Sequence, residues 1–378
     1  MKALILSVKA GYGHHSTGLA MKACFESHGI ECEMLDTLEY INRFLGEGVQ
    51  DGYLLATKYM ADAYGKVYSS LDKKEEPRKE YSPEVVISKF LSKKLEKYMI
   101  EYAPDFVVGT HSYAAVLISI LKNRGVLSCP TFGVVTDFTV HPFWESTDLD
   151  YYILPDALLT SSAVRKGIDA EKILPYGIPI REKFSVKNDK AAAKRLLGLT
   201  SEPVVLVMMG SMGFGDMTEV IKVCDDFAGN FQMVVICGSN EKARQAIDER
   251  AWKKRVRCLG FVENVDEYMD ASDIIITKPG GLTTSEAMAK RLPLILMNPI
   301  PGQEERNMEF LVNSGSAMMI TKTFTVENAL YQFFESPWRR KTMEEAVANV
   351  GKPDSTQRLY DFINKTICRK EGEVYENI

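Results

Sequence analysis

The sequence lacks the features that mark secreted, zinc-binding or membrane-spanning proteins. Its seven cysteines are scattered and never form a Cys-x-x-Cys pair, a pattern typical of reduced thiols rather than of disulfides or a zinc site. No apolar run reaches the roughly 18 residues that a membrane-spanning helix needs. The apolar start at residues 1–8 is too short for a signal peptide. We therefore expect a cytoplasmic protein whose contact with a membrane is peripheral.

The chain also lacks an excess of positive charge. Its formal net charge is -5, so no overall basic surface favours a nucleic-acid partner. Hydrophobic residues make up 46% and charged residues 26% of the 378 positions, as in ordinary globular proteins. This length suits two domains, each large enough to bury a core of its own.

Apolar runs bounded by turn residues alternate with segments of helical period through most of the chain. This alternation predicts parallel β-sheets with crossover helices, and therefore an α/β fold. The pattern restarts after the segment 175–180, which is rich in proline and glycine. We predict two doubly wound, Rossmann-like domains, 1–182 and 183–378, with the last helix returning to the first domain and a ligand in the interdomain cleft. The runs expected to form strands are 3–8, 31–36, 106–109, 131–135, 151–154, 204–208, 233–236, 256–259, 274–276 and 294–296.

The segment from about 40 to 100 interrupts this alternation. It is helical in composition and rich in tyrosine, and residues 58–97 carry ten Lys/Arg against seven Asp/Glu. Basic residues interleaved with aromatic ones suit an anionic bilayer surface. The same composition also suits a solvated helical insertion whose aromatic residues lie in the core. The sequence leaves both interpretations open.

The first glycine loop, Gly11-Tyr12-Gly13-His14-His15-Ser16, directly follows the first predicted strand. A dinucleotide site is one interpretation, since Asp36 ends the second strand where a ribose-binding acid would lie. However, the dinucleotide fingerprint needs glycine at position 16, which here is Ser16, and two histidines would crowd a pyrophosphate. A histidine at such a turn is well placed to act as a general base in the cleft, although His14 could instead cap the helix.

Two later loops favour an anionic ligand. The loop Gly210-Ser211-Met212-Gly213-Phe214-Gly215 lies between a predicted strand and a predicted helix, as phosphate-cradling loops do. The pair Gly280-Gly281 opens another helix with hydroxyl side chains in its first turn, and Glu286 lies where a carboxylate can accept both hydroxyls of a ribose. Together the two loops predict a ligand that has both a diphosphate and a sugar. Beyond the next strand, Gln303 and Glu304 could bind a hexose or cap the following helix.

Taken in order, these motifs resemble the monogalactosyldiacylglycerol synthase and processive diacylglycerol glucosyltransferase family. The shared motifs are Gly-x-Gly-His, Gly-Ser-Met-Gly-x-Gly, Gly-Gly-x-Thr-x-x-Glu-Ala and Gly-Gln-Glu-x-x-Asn. The segment Val135-Thr136-Asp137-Phe138, followed by His141 and Trp144, resembles the lipid-glycosyltransferase branch of this family. The resemblance extends from residue 3 to about residue 365, and the peptidoglycan N-acetylglucosaminyltransferase is a more distant relative.

The resemblance implies a GT-B fold, a UDP-sugar donor held by the C-terminal domain, and inversion at the anomeric carbon. It implies that His14 is the base or an acceptor-positioning residue and that Asp137 is the second catalytic residue. His141 and Trp144 would contact the acceptor. The backbone of Gly260-Phe261-Val262 lies where the family holds uracil. The implied donor-binding residues are Gly13, Gly210, Ser211, Met212, Gly213, Phe261, Val262, Gly280, Gly281, Thr283, Thr284, Glu286, Gln303, Glu304 and Asn307.

Neither a metal nor a cofactor is expected in this mechanism. Helix N-termini and backbone N–H groups can stabilise the charge that grows on the departing UDP. The sequence Asp148-Leu149-Asp150 could form the metal–diphosphate site of the other glycosyltransferase fold. It directly precedes a predicted strand, which favours a structural turn.

We therefore expect an inverting hexosyltransferase that moves glucose or galactose from a UDP-sugar to diacylglycerol or a glycosyl-diacylglycerol. Its expected partners are the UDP-hexose, the lipid acceptor and the anionic surface of the inner face of the cell membrane. One alternative is a UDP-sugar transferase with a soluble or polyprenyl-linked acceptor. Another is a nonenzymatic UDP-sugar-binding regulator, against which the joint presence of His14, Asp137 and Glu286 argues.

Overall fold

The computed structural model describes residues 1–9, 12–41, 83–210 and 217–375. Most of the tyrosine-rich, basic segment therefore lies outside the described residues, and so does the loop 211–216. Within the described ranges, none of the helices is both long enough and apolar enough to cross a lipid bilayer.

The chain divides into two compact units. The N-terminal unit contains Met1–Glu182, Ile300–Gln303 and Asp354–Ile378. The C-terminal unit contains Lys183–Pro299 and Glu304–Pro353. The last helix, Ser355–Tyr375, therefore packs with the first unit.

The N-terminal unit is built on a parallel sheet of six strands, in the order β2-β1-β3-β4-β5-β6. The strands are β1 (Lys2–Ser7), β2 (Glu31–Asp36), β3 (Phe106–Gly109), β4 (Thr131–Val134), β5 (Tyr151–Ile153) and β6 (Ile173–Leu174). The helices are Tyr12–Ser27, Thr37–Ile41, Pro83–Tyr102, Ser112–Asn123, Thr160–Arg165 and Ser355–Tyr375. Strands β1, β3 and β4 are almost wholly buried, which explains why their sequences read as apolar runs, whereas the edge strand β2 carries the exposed Glu31 and Glu33.

Alternate residues of this sheet form the core with the first and last helices. Phe25 of the first helix meets Phe106 of β3 edge to face, with ring centroids 5.3 Å apart. Leu359 and Ile363 of the last helix are fully buried in the same cluster. The last helix is also held at its start, where the Ser355 hydroxyl donates to the Ile178 carbonyl oxygen at 2.9 Å.

The C-terminal unit repeats this architecture with a second parallel sheet, in the order β12-β11-β10-β7-β8-β9. The strands are β7 (Val204–Met208), β8 (Gln232–Ile236), β9 (Val256–Leu259), β10 (Ile274–Thr277), β11 (Leu294–Leu296) and β12 (Ala317–Met319). The helices are Lys190–Leu196, Met217–Asp226, Glu241–Asp248, Val265–Ala271, Gly281–Ala289, Gln303–Asn313, Val326–Glu335 and Pro337–Val350. The prediction of two parallel α/β sheets is confirmed.

Each sheet contains a point where the strand order reverses. In the first sheet this point lies between β1 and β3, and in the second it lies between β7 and β10. Loops that follow the two strands at such a point diverge to opposite faces and leave a crevice that binds ligands. The loops after β1 and β3 and those after β7 and β10 are therefore the candidate ligand-binding loops of the two units.

Candidate active site

His14 lies beyond the carboxyl end of β1, in the first turn of the helix Tyr12–Ser27. Its Nδ1 is 3.1 Å from the carbonyl oxygen of Thr110, just after β3, and 2.6 Å from the hydroxyl oxygen of Thr136, just beyond β4. A carbonyl oxygen only accepts hydrogen bonds, so this contact assigns the proton to Nδ1. The lone pair then lies on Nε2, which can take a proton from a hydroxyl group.

The surroundings of His14 keep its imidazole neutral. Burial is the largest influence and lowers the pKa of His14 below the ordinary histidine value, whereas the charge of Asp137 and the bond to Thr110 raise it. Because the lowering prevails, the ring is unprotonated at neutral pH and can act as a base. The Asp137 charge also stabilises the imidazolium that forms once the base has taken a proton.

A second histidine at this edge, His111, was not identified from the sequence. It follows β3 and caps the helix Ser112–Asn123, where its Nδ1 accepts a hydrogen bond from the Tyr113 N–H at 3.0 Å. Its ring meets that of His14 edge to face, with centroids 4.7 Å apart. Burial, reinforced by His14 and His141, holds the pKa of His111 well below its usual range. Its place directly after a strand that neighbours β1 is the signal that could have revealed it.

The segment after β4 carries the two predicted acceptor residues in different environments. His141 is partly exposed and caps the 3₁₀ helix Pro142–Ser146, where its Nδ1 accepts from the Phe143 N–H at 3.1 Å. Trp144 is only 3% exposed, and its indole covers Gly133, where a Cβ would lie 2.7 Å from the ring. Trp144 therefore packs as a core residue, and its contact with the acceptor stays a prediction.

Two predicted donor residues belong to the N-terminal unit. Gly13 is partly buried and directly precedes His14 in the first helix. Gln303 is grouped with the same unit, and its side-chain amide donates to the carboxylate of Asp137. The donor contacts of both residues remain predictions.

The glycine loop after β7 begins with Gly210. Its φ of 76° lies in the left-handed region, which glycine adopts without strain. The chain thus turns sharply at the carboxyl end of β7, as a loop that approaches a ligand must. The next three predicted donor residues, Ser211, Met212 and Gly213, lie outside the described residues, so their phosphate contacts stay predictions.

The loop after β10 leads into the helix Gly281–Ala289. Its N-cap is Gly280, which has no side chain to bond the first-turn N–H groups, so these groups can bind an anion. Thr284 stabilises the turn itself, because it is fully buried and its hydroxyl donates to the Gly280 carbonyl oxygen at 2.8 Å. Thr283 is partly exposed, and Glu286 in the second turn is 5% exposed.

The helix Gln303–Asn313 follows β11 and carries two further predicted donor residues of the C-terminal unit. Glu304 forms an ion pair with Lys278, with Oε1 3.1 Å from Nζ. Asn307 is fully buried, and its amide donates to the Pro279 carbonyl oxygen at 3.0 Å. Both contacts join the start of this helix to the loop after β10.

The predicted uracil-binding residues follow β9. Phe261 is 71% exposed, whereas Val262 is partly buried. A large ring held in solvent at the carboxyl end of a strand offers a flat apolar surface to a planar base. The backbone contacts to uracil stay predictions.

The acidic pair before β5 is held in a structural turn. Asp150 accepts hydrogen bonds from Lys122 at 2.7 Å and from the Thr131 N–H at 2.9 Å, and Asp148 accepts one from Lys172 at 3.1 Å. Burial raises the pKa of Asp150, but the bonds from Lys122 and Thr131 outweigh it and hold this pKa below its usual value. Across the ranges that the structure describes, no group of three or more His, Cys, Asp or Glu side chains is arranged to hold a metal ion.

Two family models match the chain. Residues 14–180 match the model described as monogalactosyldiacylglycerol (MGDG) synthase. Residues 204–359 match the model described as glycosyltransferase family 28 C-terminal domain. The first match begins at His14 and contains the whole histidine cluster (His14, His111 and His141), and the second contains the loops after β7, β10 and β11.

Similar proteins match over nearly the whole chain. A processive diacylglycerol beta-glucosyltransferase of Bacillus pumilus (strain SAFR-032) is 27% identical over 382 residues, which cover 97% of this chain and 98% of the relative. Another, of Bacillus mycoides (strain KBAB4), is 28% identical over 376 residues and covers 96% of this chain and 93% of the relative. The resemblance predicted from the motifs is confirmed.

Solved structures show the same fold at low identity. MurG of Acinetobacter baumannii has a TM-score of 0.61 at 15% identity and covers 96% of this chain and 99% of its own. The UDP-GlcNAc 2-epimerase of Neisseria meningitidis has a TM-score of 0.61 at 14% identity and covers 97% of this chain and 100% of its own. The fold is therefore GT-B, as predicted. Since an epimerase shares it, the fold by itself does not determine the reaction.

Proposed function

We propose that this chain is a glycosyltransferase of the monogalactosyldiacylglycerol synthase family and that it transfers a hexose from a UDP-sugar to diacylglycerol or to a glycosyl-diacylglycerol. The two family matches support a transferase, and the names of the Bacillus relatives support a diacylglycerol acceptor. The same names favour glucose as the transferred sugar, whereas the name of the N-terminal family model favours galactose.

The observation that carries the proposal is the contact of the His14 Nδ1 with the Thr110 carbonyl oxygen, which assigns the tautomer of the ring. Its Nδ1–H is bonded to Thr110, its pKa is depressed, and its Nε2 is left as the basic atom at the crevice between β1 and β3. A neutral base beside a carboxylate is the arrangement that removes the proton of an attacking hydroxyl group. The acceptor hydroxyl would lose its proton to Nε2 as its oxygen bonds to the anomeric carbon.

The donor half of the reaction is supported by the C-terminal unit. The first-turn N–H groups of the helix Gly281–Ala289 can bind the diphosphate and stabilise the negative charge that grows on the departing UDP. The carboxylate of Glu286 would accept the ribose hydroxyls, and Glu304 those of the hexose. In this mechanism the helix terminus stabilises the charge on UDP, as a metal does in other transferases. The acceptor attacks from the side opposite the leaving UDP, which inverts the configuration at the anomeric carbon.

Attachment to a membrane surface belongs to the same proposal. Lys93, Lys94 and Lys97 are exposed on the helix Pro83–Tyr102, and Ile100 on this helix is 64% exposed. Lysine side chains attract anionic headgroups, and an exposed apolar side chain can enter the interface. Co-sedimentation with anionic vesicles should therefore occur and weaken as salt is added. If the chain bound vesicles equally well at high salt or without anionic lipid, the proposed attachment through these lysines would be contradicted.

The reaction is tested with a panel of donors and acceptors. The chain is incubated with UDP-glucose or UDP-galactose and with diacylglycerol vesicles, a polyprenyl phosphate or a soluble sugar. We expect glycolipid from diacylglycerol, with a β-linked sugar when its anomeric configuration is determined by NMR. Transfer only to the soluble or polyprenyl-linked acceptor would reject the lipid acceptor, and an α-linked product would reject inversion.

A further inference from the structure

We infer that Cys237 and Cys258 form a reversible disulfide under oxidising conditions and that this bond lowers the affinity of the C-terminal unit for UDP. The second half of the inference rests on the proposed function, because the predicted uracil-binding residues Phe261 and Val262 closely follow Cys258 in the chain. The sequence predicts reduced thiols, and the two cysteines are 21 positions apart, so only the fold brings them together.

The two thiols lie near the carboxyl ends of neighbouring strands. Cys237 directly follows β8, Cys258 belongs to β9, and their Sγ atoms are 3.6 Å apart. Cys258 pairs in register with Val235, and Cys237 lies two residues beyond Val235, on the same face of the sheet. Both thiols therefore point to one side, where they pack in the hydrophobic core of the unit.

A bond between these thiols requires only a short movement of one strand. A disulfide bond is about 2.0 Å long, so the two sulfur atoms need to approach each other by about 1.6 Å. Cys237 is held in place, because it is fully buried and its N–H donates to the Leu259 carbonyl oxygen at 2.8 Å. Cys258 is partly exposed and lies on β9, the last strand in the order of its sheet. The movement therefore falls on Cys258 and on β9.

The two thiols differ in how readily they lose a proton. The hydrogen bond between them lowers the pKa of Cys237, although burial opposes this effect, and the same bond, reinforced by burial, raises the pKa of Cys258. Cys237 is therefore the thiolate of the pair, the form that reacts with oxidants. Burial raises the pKa of Cys32 and of Cys224 to about 12, which keeps these two thiols protonated and unreactive.

Hydrogen peroxide is a small oxidant that can complete this reaction. The Cys237 thiolate attacks one peroxide oxygen, the O–O bond breaks, and the departing hydroxide takes the proton of Cys258 and becomes water. The Cys258 thiolate then attacks the sulfur of the Cys237 sulfenic acid, the S–S bond forms, and the S–O bond breaks. The second hydroxide takes a proton from solvent, so two thiols and one peroxide give one disulfide and two water molecules.

The bond acts on the loop that the proposed function assigns to uracil. The loop Gly260-Phe261-Val262 follows Cys258 after one residue, and a Cβ added at Gly260 would lie 3.8 Å from the Gly238 carbonyl oxygen. The loops after β8 and β9 are therefore neighbours, and a movement of Cys258 towards Cys237 shifts the start of the uracil loop. Hydrogen bonds from the backbone weaken steeply when their geometry is disturbed, so UDP should bind less tightly.

The experiment treats the full chain with hydrogen peroxide, identifies linked cysteines by mass spectrometry of peptides, and measures the Kd of UDP by calorimetry. The proteins are the unmodified chain, Cys237→Ser, Cys258→Ser and the control Cys24→Ser, which changes a partly exposed thiol of the first helix. In the unmodified chain and the control, we expect peptides linked through Cys237 and Cys258 and a Kd of UDP that rises about fivefold or more. Dithiothreitol should reverse both changes. In Cys237→Ser and Cys258→Ser, peroxide should leave the Kd unchanged.

Three results would overturn the inference. They are the absence of a link between Cys237 and Cys258, a linked chain that binds UDP as tightly as the reduced chain, and an oxidation that dithiothreitol does not reverse, which indicates sulfinic acid. If Cys237→Ser does not fold, Cys258→Ser at the partly exposed position gives the same comparison. A reduced chain that binds no UDP rejects the proposed function, whereas the linked peptides test the disulfide without any ligand.

Discussion

Both hydrogen-bonding contacts of the His14 ring are made by Nδ1, so the protein holds this nitrogen in place while Nε2 can react. Thr110 and Thr136 make these contacts and fix the ring between the ends of β3 and β4. The nearby ring of His111 is itself tied to the Tyr113 N–H and therefore limits how far His14 can turn. The geometry accounts for the orientation of the base before any substrate is present.

Replacement of this base should slow the chemical step without weakening donor binding. His14→Ala removes Nε2, and turnover should fall by roughly 10²–10⁴, the usual contribution of a general base. The affinity for UDP should be unchanged. Steady-state transfer assays and UDP titrations measure the two quantities. His28→Ala, which changes an exposed histidine just beyond the same helix, is the control and should keep full turnover. Equal turnover in both variants would remove His14 from the mechanism.

The pH dependence of kcat/KM should show the depressed pKa of His14. The base acts only when neutral, so activity is lost as pH falls through its pKa, and the midpoint should lie below the ordinary histidine value of about 6.5. Asp137→Asn removes a charge that raises this pKa, so the acid limb should move to still lower pH. Asp148→Asn, which changes an acid paired with Lys172, should not move it. An acid limb that stays in place or rises in Asp137→Asn would contradict the assigned electrostatics.

The sequence singled out His14 as a candidate base because a histidine followed a glycine loop at a strand end. It could not reveal what holds the ring, since Thr110 lies 96 positions away and becomes a partner only through the pairing of β1 with β3. His111 stands two residues after a predicted strand, which is a signal in the sequence, but only the pairing of β1 with β3 shows that it lies beside His14. The motif that contains Trp144 shows its residue type but not that its ring fills the space over Gly133, and its acceptor contact stays a prediction.

The turn at Gly280 must lie open if the diphosphate of the UDP-sugar is to reach the helix Gly281–Ala289. A Cβ added at Gly280 meets nothing within 4 Å, and its φ of -74° suits any residue. Gly280→Ala should therefore leave the unfolding free energy nearly unchanged, yet weaken UDP binding because the methyl group lies where the diphosphate approaches. Calorimetric titration and thermal unfolding test the two halves, and unchanged UDP affinity would exclude a close approach of the diphosphate at this turn.

Gly351→Ala is the comparison at the C-terminal end of the helix Gly281–Ala289. A Cβ there would lie 2.5 Å from the carbonyl oxygen of Met288, in the helix Gly281–Ala289. Backbone cannot yield as a flexible side chain can, so we expect a loss of about 1–3 kcal/mol in the unfolding free energy. Denaturant unfolding measures this free energy. An unchanged value in Gly351→Ala would mean that Gly351 does not lie in tight contact with the Met288 carbonyl.

The strands were largely predictable because a strand buried on both faces must be apolar throughout. The two edge strands β6 and β12 were not predicted, since β6 has only two residues and β12 begins with alanine, which strands disfavour. The helix Gly281–Ala289 was recognisable from its glycine pair. The hydrogen bond from Thr284 to the Gly280 carbonyl was not predictable. A threonine at this position could equally bind the ligand or bond to the backbone of its own helix.

At the scale of the whole molecule, each of the two sheets reverses its strand order once, and each reversal is associated with a different part of the proposed reaction. At its reversal the N-terminal unit has His14, whose pKa is lowered, and at its own the C-terminal unit has the helix terminus at Gly280. A base and an anion site are the two components that transfer from a UDP-sugar requires. The last helix, although distant in sequence, belongs to the N-terminal core because Leu359 and Ile363 are apolar on the face that meets that sheet.

The most direct test of this account is transfer of label to lipid. The full chain is incubated with diacylglycerol vesicles and labelled UDP-glucose or UDP-galactose, and the lipid phase is separated by chromatography. We predict that label enters the lipid with at least one of the two donors and that His14→Ala abolishes most of this transfer. Release of UDP without labelled lipid would contradict the diacylglycerol acceptor, and neither release nor transfer with either donor would contradict the proposed reaction itself.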